Sequence, residues 1–169
     1  MSPKLLKSWP VSQNTKASDV AFSPDGTILA VGYSDGHADL LDIKELNVIS
    51  TFTDFRSSTL TDVKVAFSNK GTLLAIAGDK KISLWDISDQ GAPEKLYQFE
   101  HPHVYKDIIS LFFLPAYDNY LVSIGEDHAF RIWDLENPKS PKQQNAIPAD
   151  ERIISMAVSN DKLYSIVLA

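Results

Sequence analysis

The stretch DVAFSPDGTILAVG, residues 19–32, sets two short apolar runs on either side of Pro24, Asp25 and Gly26. Pro and Asp suit the central positions of a type I turn with Gly after them. The flanking runs are rich in β-branched and apolar residues, so the stretch predicts a tight β-hairpin. The same pattern returns as KVAFSNKGTLLAIAG (64–78), SLFFLPAYDNYLVSIG (110–125) and SMAVSNDKLYSIVLA (155–169). Phe22, Phe67, Phe113 and Val158 recur every 45 or 46 residues, Gly32, Gly78 and Gly125 at 46 and 47, and Asp42, Asp86 and Asp134 at 44 and 48. Three independent series agreeing on one period near 45 mark a repeat architecture.

Each period holds more than one hairpin. After TILAVGY comes a second turn, SDG at 34–36, then HADLLDI, then KELN, which turns the chain into the more polar VISTFTDF. That makes four strands, the inner ones apolar and the outer one half solvated. The second period predicts strands at 60–68, 72–78, 82–87 and 95–100. The third predicts 108–115, 120–126, 129–135 and a weak strand around 143–148. No segment of ten residues carries helical periodicity, so the fold class is all-β. A four-stranded sheet apolar on both faces is not stable alone and needs like units on either side, which is the logic of a propeller blade. The predicted units are about 15–55, 60–101 and 104–149, with a partial unit at 150–169 and an outer strand of a preceding blade at 4–11, in one domain over 1–169. Three blades and parts of two others leave apolar faces open at both ends. A partial propeller is therefore expected, either part of a longer ring or one closed by a second chain.

Composition narrows the function classes. With 169 residues and 44% hydrophobic content, the chain can bury a sizeable core. A net charge of −6 works against sequence-independent attraction to phosphate backbones or anionic lipid. Cysteine is absent, so there is neither a disulfide framework nor a thiolate metal site. The start MSPKLLKSWPVSQN lacks the apolar stretch of a signal peptide, and nowhere do eighteen apolar residues run together. A cytoplasmic or nuclear location is expected, with no membrane partner.

Two third-strand segments, SLWD (83–86) and RIWD (131–134), end in Trp-Asp, and a third copy reads DLLD (39–42). With the VAFSPDG turn and the period, these residues resemble the WD40-repeat family over residues 15–169. The resemblance implies a buried tetrad in each blade: a His before the first strand, a Ser or Thr in the second, an Asp in the turn before the third, and the Trp. Blade 3 comes closest, with Trp133, Asp127, Ser123 and either His101 or His103. Blade 2 keeps Trp85 and Asp79 but has Ile76 or Ala77 where the hydroxyl belongs. Blade 1 keeps Asp35 and has Leu41 in place of Trp. Apolar packing is expected to hold those two blades.

Ser123, His103 and Asp127 also have the residue types of a hydrolase triad, but Ser123 lies mid-strand in YLVSIG without the sharp turn a nucleophile needs. His101-Pro102-His103 offers two imidazoles and no third ligand. No glycine-rich phosphate loop leads from a strand into a helix. No enzyme activity, cofactor or metal is expected. By resemblance, the upper face is carried by the loops entering each first strand and the turns before each third strand. Its candidate partner-binding residues are Tyr33, Arg56, Lys80, Tyr105, Lys106, Glu126, His128 and Arg152. The expected role is a non-catalytic scaffold docking proteins or peptides within a larger assembly. The alternative is a nucleic-acid-associated subunit, for which Lys4, Lys7, Lys139 and Lys142 are the only basic hints; direct contact with nucleic acid is not favoured.

Overall fold

The computed structural model describes residues 15–55, 61–100, 102–103, 107–115, 117, 119–148, 153–158 and 163–167, the last two segments by backbone alone. The predicted strand at 4–11 and the candidates Arg56, Tyr105, Lys106 and Arg152 lie outside the described residues.

Three four-stranded antiparallel sheets follow one another. Blade 1 orders β1 (Ala17–Phe22), β2 (Ile28–Tyr33), β3 (Ala38–Asp42) and β4 (Asn47–Phe52). Blade 2 orders β5 (Lys64–Phe67), β6 (Leu73–Gly78), β7 (Lys81–Asp86) and β8 (Glu94–Glu100). Blade 3 runs β9 (Ile108–Phe113), β10 (Tyr120–Gly125), β11 (Ala129–Asp134) and β12 (Lys142–Pro148). A hairpin, β13 (Ile153–Val158) with β14 (Leu163–Val167), begins a fourth unit. Among the described residues there is no helix. The first strands β1, β5, β9 and β13 neighbour one another in turn, which places them on the inside of the arc.

Local chemistry explains the repeats. At the first turn Gly26 N–H donates to Ser23 O and Gly71 N–H to Ser68 O, both at 2.9 Å, and each glycine has φ +71°. Those left-handed values are what the PDG and NKG segments supply glycine for. The aspartate of each Trp-Asp or Leu-Asp pair ends the third strand by accepting a backbone N–H just beyond it: Glu45 to Asp42 at 2.7 Å, and Ser88 to Asp86 and Glu136 to Asp134 at 2.8 Å. These bonds come first among the causes that hold Asp86 and Asp134 below the usual carboxylate range. Directly before the Leu41, Trp85 and Trp133 positions, all three blades carry an irregularity in the pairing of third and fourth strands. Such bulges sharpen twist.

The largest departure from the predicted strands is at the start of blade 2. β5 starts at Lys64 rather than 60, because Ser18 of β1 occupies Val63: its Oγ donates to Val63 O at 2.9 Å and accepts from Val63 N–H at 3.0 Å. Thr61 makes only an isolated parallel bridge to Asp35.

The core lies between blades. One cluster joins Ala30, Leu40 and Phe52 of blade 1 to Val65, Leu74 and Ile76 of blade 2, and a second joins Leu84 and Phe99 of blade 2 to Leu111, Leu121 and Trp133 of blade 3. At both seams an outer-strand Phe meets the Trp of the next blade edge-on: Phe52 with Trp85 at 4.8 Å, Phe99 with Trp133 at 4.7 Å. The opposite face of blade 1 leaves Val20 58% and Phe22 62% exposed.

Candidate partner-docking face

Antiparallel topology brings the entries to the first strands and the turns before the third strands to one end of the sheets. Hydrogen bonds knit the loops there: Ser34 N–H donates to Lys16 O and Thr61 N–H to Ser34 O, both at 2.9 Å, and Glu126 N–H to Asp107 O at 2.9 Å. The turns before the third strands place Gly36 at φ +83°, Lys80 at +63° and His128 at +59°. Lys80 and His128 therefore hold the left-handed position that glycine fills in blade 1. Glu126 and His128 are exposed and Lys80 is half-buried.

Tyr33 is not part of this face. It is 5% exposed, packs with Val31 and Leu41, and stacks on His37 at 4.1 Å. Burial, helped by the charge of Asp39 and a hydrogen bond to it, pushes its phenol up. β2 runs through residue 33, so the alternation of the strand turns the ring onto the sheet rather than into solvent.

Beneath the face, blade 3 holds a continuous polar chain. Trp133 Nε1–H donates to Ser123 Oγ at 3.0 Å, Ser123 Oγ lies 2.7 Å from His103 Nε2, and His103 Nδ1 lies 2.8 Å from Asp127 Oδ1. His103, not His101, fills the imidazole position; His101 lies outside the described residues. A neutral imidazole satisfies both Asp127 and Ser123: Nδ1–H donates to the carboxylate and Nε2 accepts the Ser123 hydroxyl. Burial is the main cause holding His103 below the ordinary histidine value; Asp127 opposes it, and Arg131 adds to it. Burial alone would raise Asp127, but hydrogen bonds from Arg131 and His103 outweigh it and hold its carboxyl low.

Arg131 is a fifth member that sequence reasoning missed. Its Nη2 donates to Asp127 Oδ2 at 2.8 Å and its Nη1 lies 2.6 Å from His103 Nδ1, so the guanidinium bears on both the carboxylate and the ring. Its signal was available: it stands two residues before Trp133, and it pairs across the sheet with Ser123.

Blade 2 solves the same problem differently. Trp85 Nε1–H donates at 2.9 Å to Ser83 Oγ on its own strand. Ser83 is fully buried and pairs with Ile76, so the hydroxyl stands on the third strand here, whereas in blade 3 it stands on the second, opposite Arg131. Phe55 stands where His103 stands in blade 3. A Cβ added to Gly78 would come 3.1 Å from Phe55, and one added to Gly125 2.3 Å from His103 Nδ1. Both glycines thus close the second strand under a buried ring. Blade 1 keeps a polar cluster instead of relying on apolar packing alone: His37 contacts Asp35, and Thr51 Oγ1 donates to Asp39 Oδ1 at 2.6 Å.

With Phe55 in place of a histidine, Asp79 has no imidazole to hold and turns to the surface. It lines a depression of about 420 Å³ between blades 2 and 3 with Asp62, Asp107, Glu126 and Lys64. Four carboxylates face one ammonium there. Of the candidate face residues the depression takes in Glu126; Lys80 and His128 are not among its lining. Among the described residues no group of His, Asp or Glu is arranged to hold a metal ion, and no helix is long and apolar enough to cross a membrane.

Comparison with known proteins agrees with this geometry. Residues 4–63 match the family of the anaphase-promoting complex subunit 4 WD40 domain, and residues 47–86 match the WD domain, G-beta repeat. The chain is 31% identical over 88 residues to "Restriction of telomere capping protein 1" of Kluyveromyces lactis, covering 52% of this chain and 7% of that protein. The protein of the same name from Lachancea thermotolerans is 27% identical over 111 residues, 63% of this chain and 8% of that one. The chain thus spans less than a tenth of these curated relatives. Among solved structures, a chain of the mitotic checkpoint complex superposes with TM-score 0.71 at 24% identity, over 86% of this chain and 45% of its own. Chaetomium thermophilum Sqt1, solved bound to the N-terminus of the ribosomal protein L10, gives TM-score 0.70 at 18% identity, over 84% of this chain and 38% of that one. Repeat period and blade topology give the chain a β-propeller fold, and both family matches show it to be similar to WD40-repeat proteins.

Proposed function

We propose that this chain belongs to a non-catalytic scaffold of a larger protein assembly and docks a basic peptide segment on the loop end of blades 2 and 3. The observation that carries this reading is the acidic depression: Asp62, Asp79, Asp107 and Glu126 surround one concave space, and among the described residues none of their carboxylates is held by a side-chain partner. Carboxylates left outside internal pairs are free to receive a partner's Lys or Arg, and such charges set encounter rate and register. Support also comes from the fold, whose loops present recognition groups on a rigid frame, and from the peptide bound by the Sqt1 propeller. A cytoplasmic or nuclear setting fits this role.

The nucleic-acid reading has less behind it. Lys139 and Lys142 sit beside the outer loop of blade 3, away from the loop face, and Lys139 already donates to Glu94 at 3.0 Å. Affinity purification with the Asp79→Asn/Asp107→Asn variant beside the parent chain tests the proposal. Partners whose recovery falls in the variant, and rises again in low salt, support it. An unchanged partner set overturns it, and binding of short RNA with a steep salt dependence favours the alternative.

A further inference from the structure

We propose that Ser140 is a phosphorylation site for a proline-directed serine kinase, and that its phosphate loosens the outer clasp between blades 2 and 3. Two Ser-Pro pairs fall within the described residues, Ser23-Pro24 and Ser140-Pro141. They occupy opposite environments. Ser23 is 7% exposed, and its Oγ donates to Asp25 Oδ1 at 2.6 Å and accepts from Ile28 N–H at 2.9 Å. Ser140 is exposed at the tip of the loop from β11 to β12, and its Oγ makes no hydrogen bond among the described residues. Only the backbone holds it, Ser140 N–H donating to Asn137 O at 2.9 Å. The strand that follows, β12, is exposed at every position and pairs on one side only, so a kinase meets little resistance in drawing the loop into its cleft. Pro141 supplies the residue without an N–H that such kinases read after the acceptor, and Lys142 adds a charge next to it.

In the transfer, Ser140 Oγ bonds to the γ-phosphorus of ATP while the bond from that phosphorus to the β–γ bridging oxygen breaks. ADP leaves with the electron pair and the hydroxyl proton passes to the kinase's base. The product dianion lies next to Lys139, whose Nζ reaches across the seam to Glu94 Oε1 at 3.0 Å. At the preceding seam the corresponding clasp is neutral: Ser50 Oγ donates to Gln90 O at 2.9 Å. That neutral contact holds no ammonium for a neighbouring phosphate to draw away; the Lys95–Asp54 pair at 2.6 Å lies elsewhere along the same seam. A phosphate with up to two negative charges takes the ammonium from Glu94 and adds repulsion beside it.

Treating the full chain with a cyclin-dependent kinase and MgATP, followed by peptide mapping, tests the site. Ser140 is expected to gain phosphate about tenfold faster than Ser23, and Pro141→Ala to slow it about as much. Equal labelling of both serines, or no effect of Pro141→Ala, overturns the site. Hydrogen exchange reads the clasp independently: amides of β8 exchange faster after phosphorylation of the parent chain but not of Glu94→Gln, and unchanged exchange in the parent overturns the coupling.

Discussion

Phe99 meets Trp133 across the seam between blades 2 and 3 with ring centroids 4.7 Å apart and planes at 60°, and one repeat earlier Phe52 meets Trp85 at 4.8 Å and 65°. The tryptophan therefore works in two directions, toward the previous blade through its ring and toward its own blade through its N–H.

Separating the two roles is the first prediction. Phe99→Ala removes a large side chain that is 5% exposed and is expected to cost about 3–4 kcal/mol. Trp133→Phe keeps much of the ring contact but leaves Ser123 without a donor, and is expected to cost about 1–2 kcal/mol. Urea unfolding measures both, and a larger loss for Trp133→Phe than for Phe99→Ala would refute the ordering.

The second concerns the displaced hydroxyl. Ser83→Ala strands the Trp85 indole N–H and should cost about 1–2 kcal/mol, while Trp85→Phe alone removes the donor together with its need. The double variant should lose less than the sum of the singles by about 1 kcal/mol. Strict additivity would mean that Ser83 does not serve Trp85.

Third, the two glycines under buried rings should respond unequally to alanine. A methyl at residue 125 comes 2.3 Å from His103, against 3.1 Å from Phe55 for one at residue 78. Gly125→Ala should cost about 3 kcal/mol and Gly78→Ala nearer 1 kcal/mol. A shift in denaturation midpoint in the opposite order contradicts the placement of His103.

Fourth, acid should weaken blade 3. His103 is held neutral in the folded chain, mainly by burial, with its titration below the ordinary histidine value near 6.5. The unfolded chain therefore binds a proton first as pH falls. Stability contributed by the neutral ring is full above about pH 7 and declines as pH drops through the ordinary histidine value toward the lowered one, by at most about 1.4 kcal/mol per pH unit. Asp127, held low, adds a further loss at more acid pH. Measured from pH 7.5 to 5, the slope should shrink in His103→Gln; an unchanged slope assigns it to other groups.

The repeat was legible because Phe22, Phe67, Phe113 and the glycines that close the second strands obey a period that any hairpin-based blade must keep. Strand edges were legible to within a residue or two except at β5, where a side chain on another blade, Ser18, decides where pairing begins. The buried network was legible in blade 3 alone. Phe55 replaces an imidazole with a ring of similar size, and Arg131 sits at a position that pattern alone treats as a polar strand residue. Tyr33 was misread because one residue of strand length decides whether a side chain meets solvent or sheet. Glu126 reached the depression, whereas Asp79 entered it because its usual partner is missing, a consequence visible only with Phe55 in place.

The exchange of Ser123 for Ser83 has a meaning for how such chains diverge. What the indole requires is an oxygen at one point in space, and two different columns of the repeat can deliver it. Substitutions in those columns are then coupled: either can lose the hydroxyl so long as the other has already acquired it, as Ile76 does beside Ser83 and Arg131 beside Ser123. Repeats compared column by column will look degenerate at both positions while the physical constraint between them is fully kept.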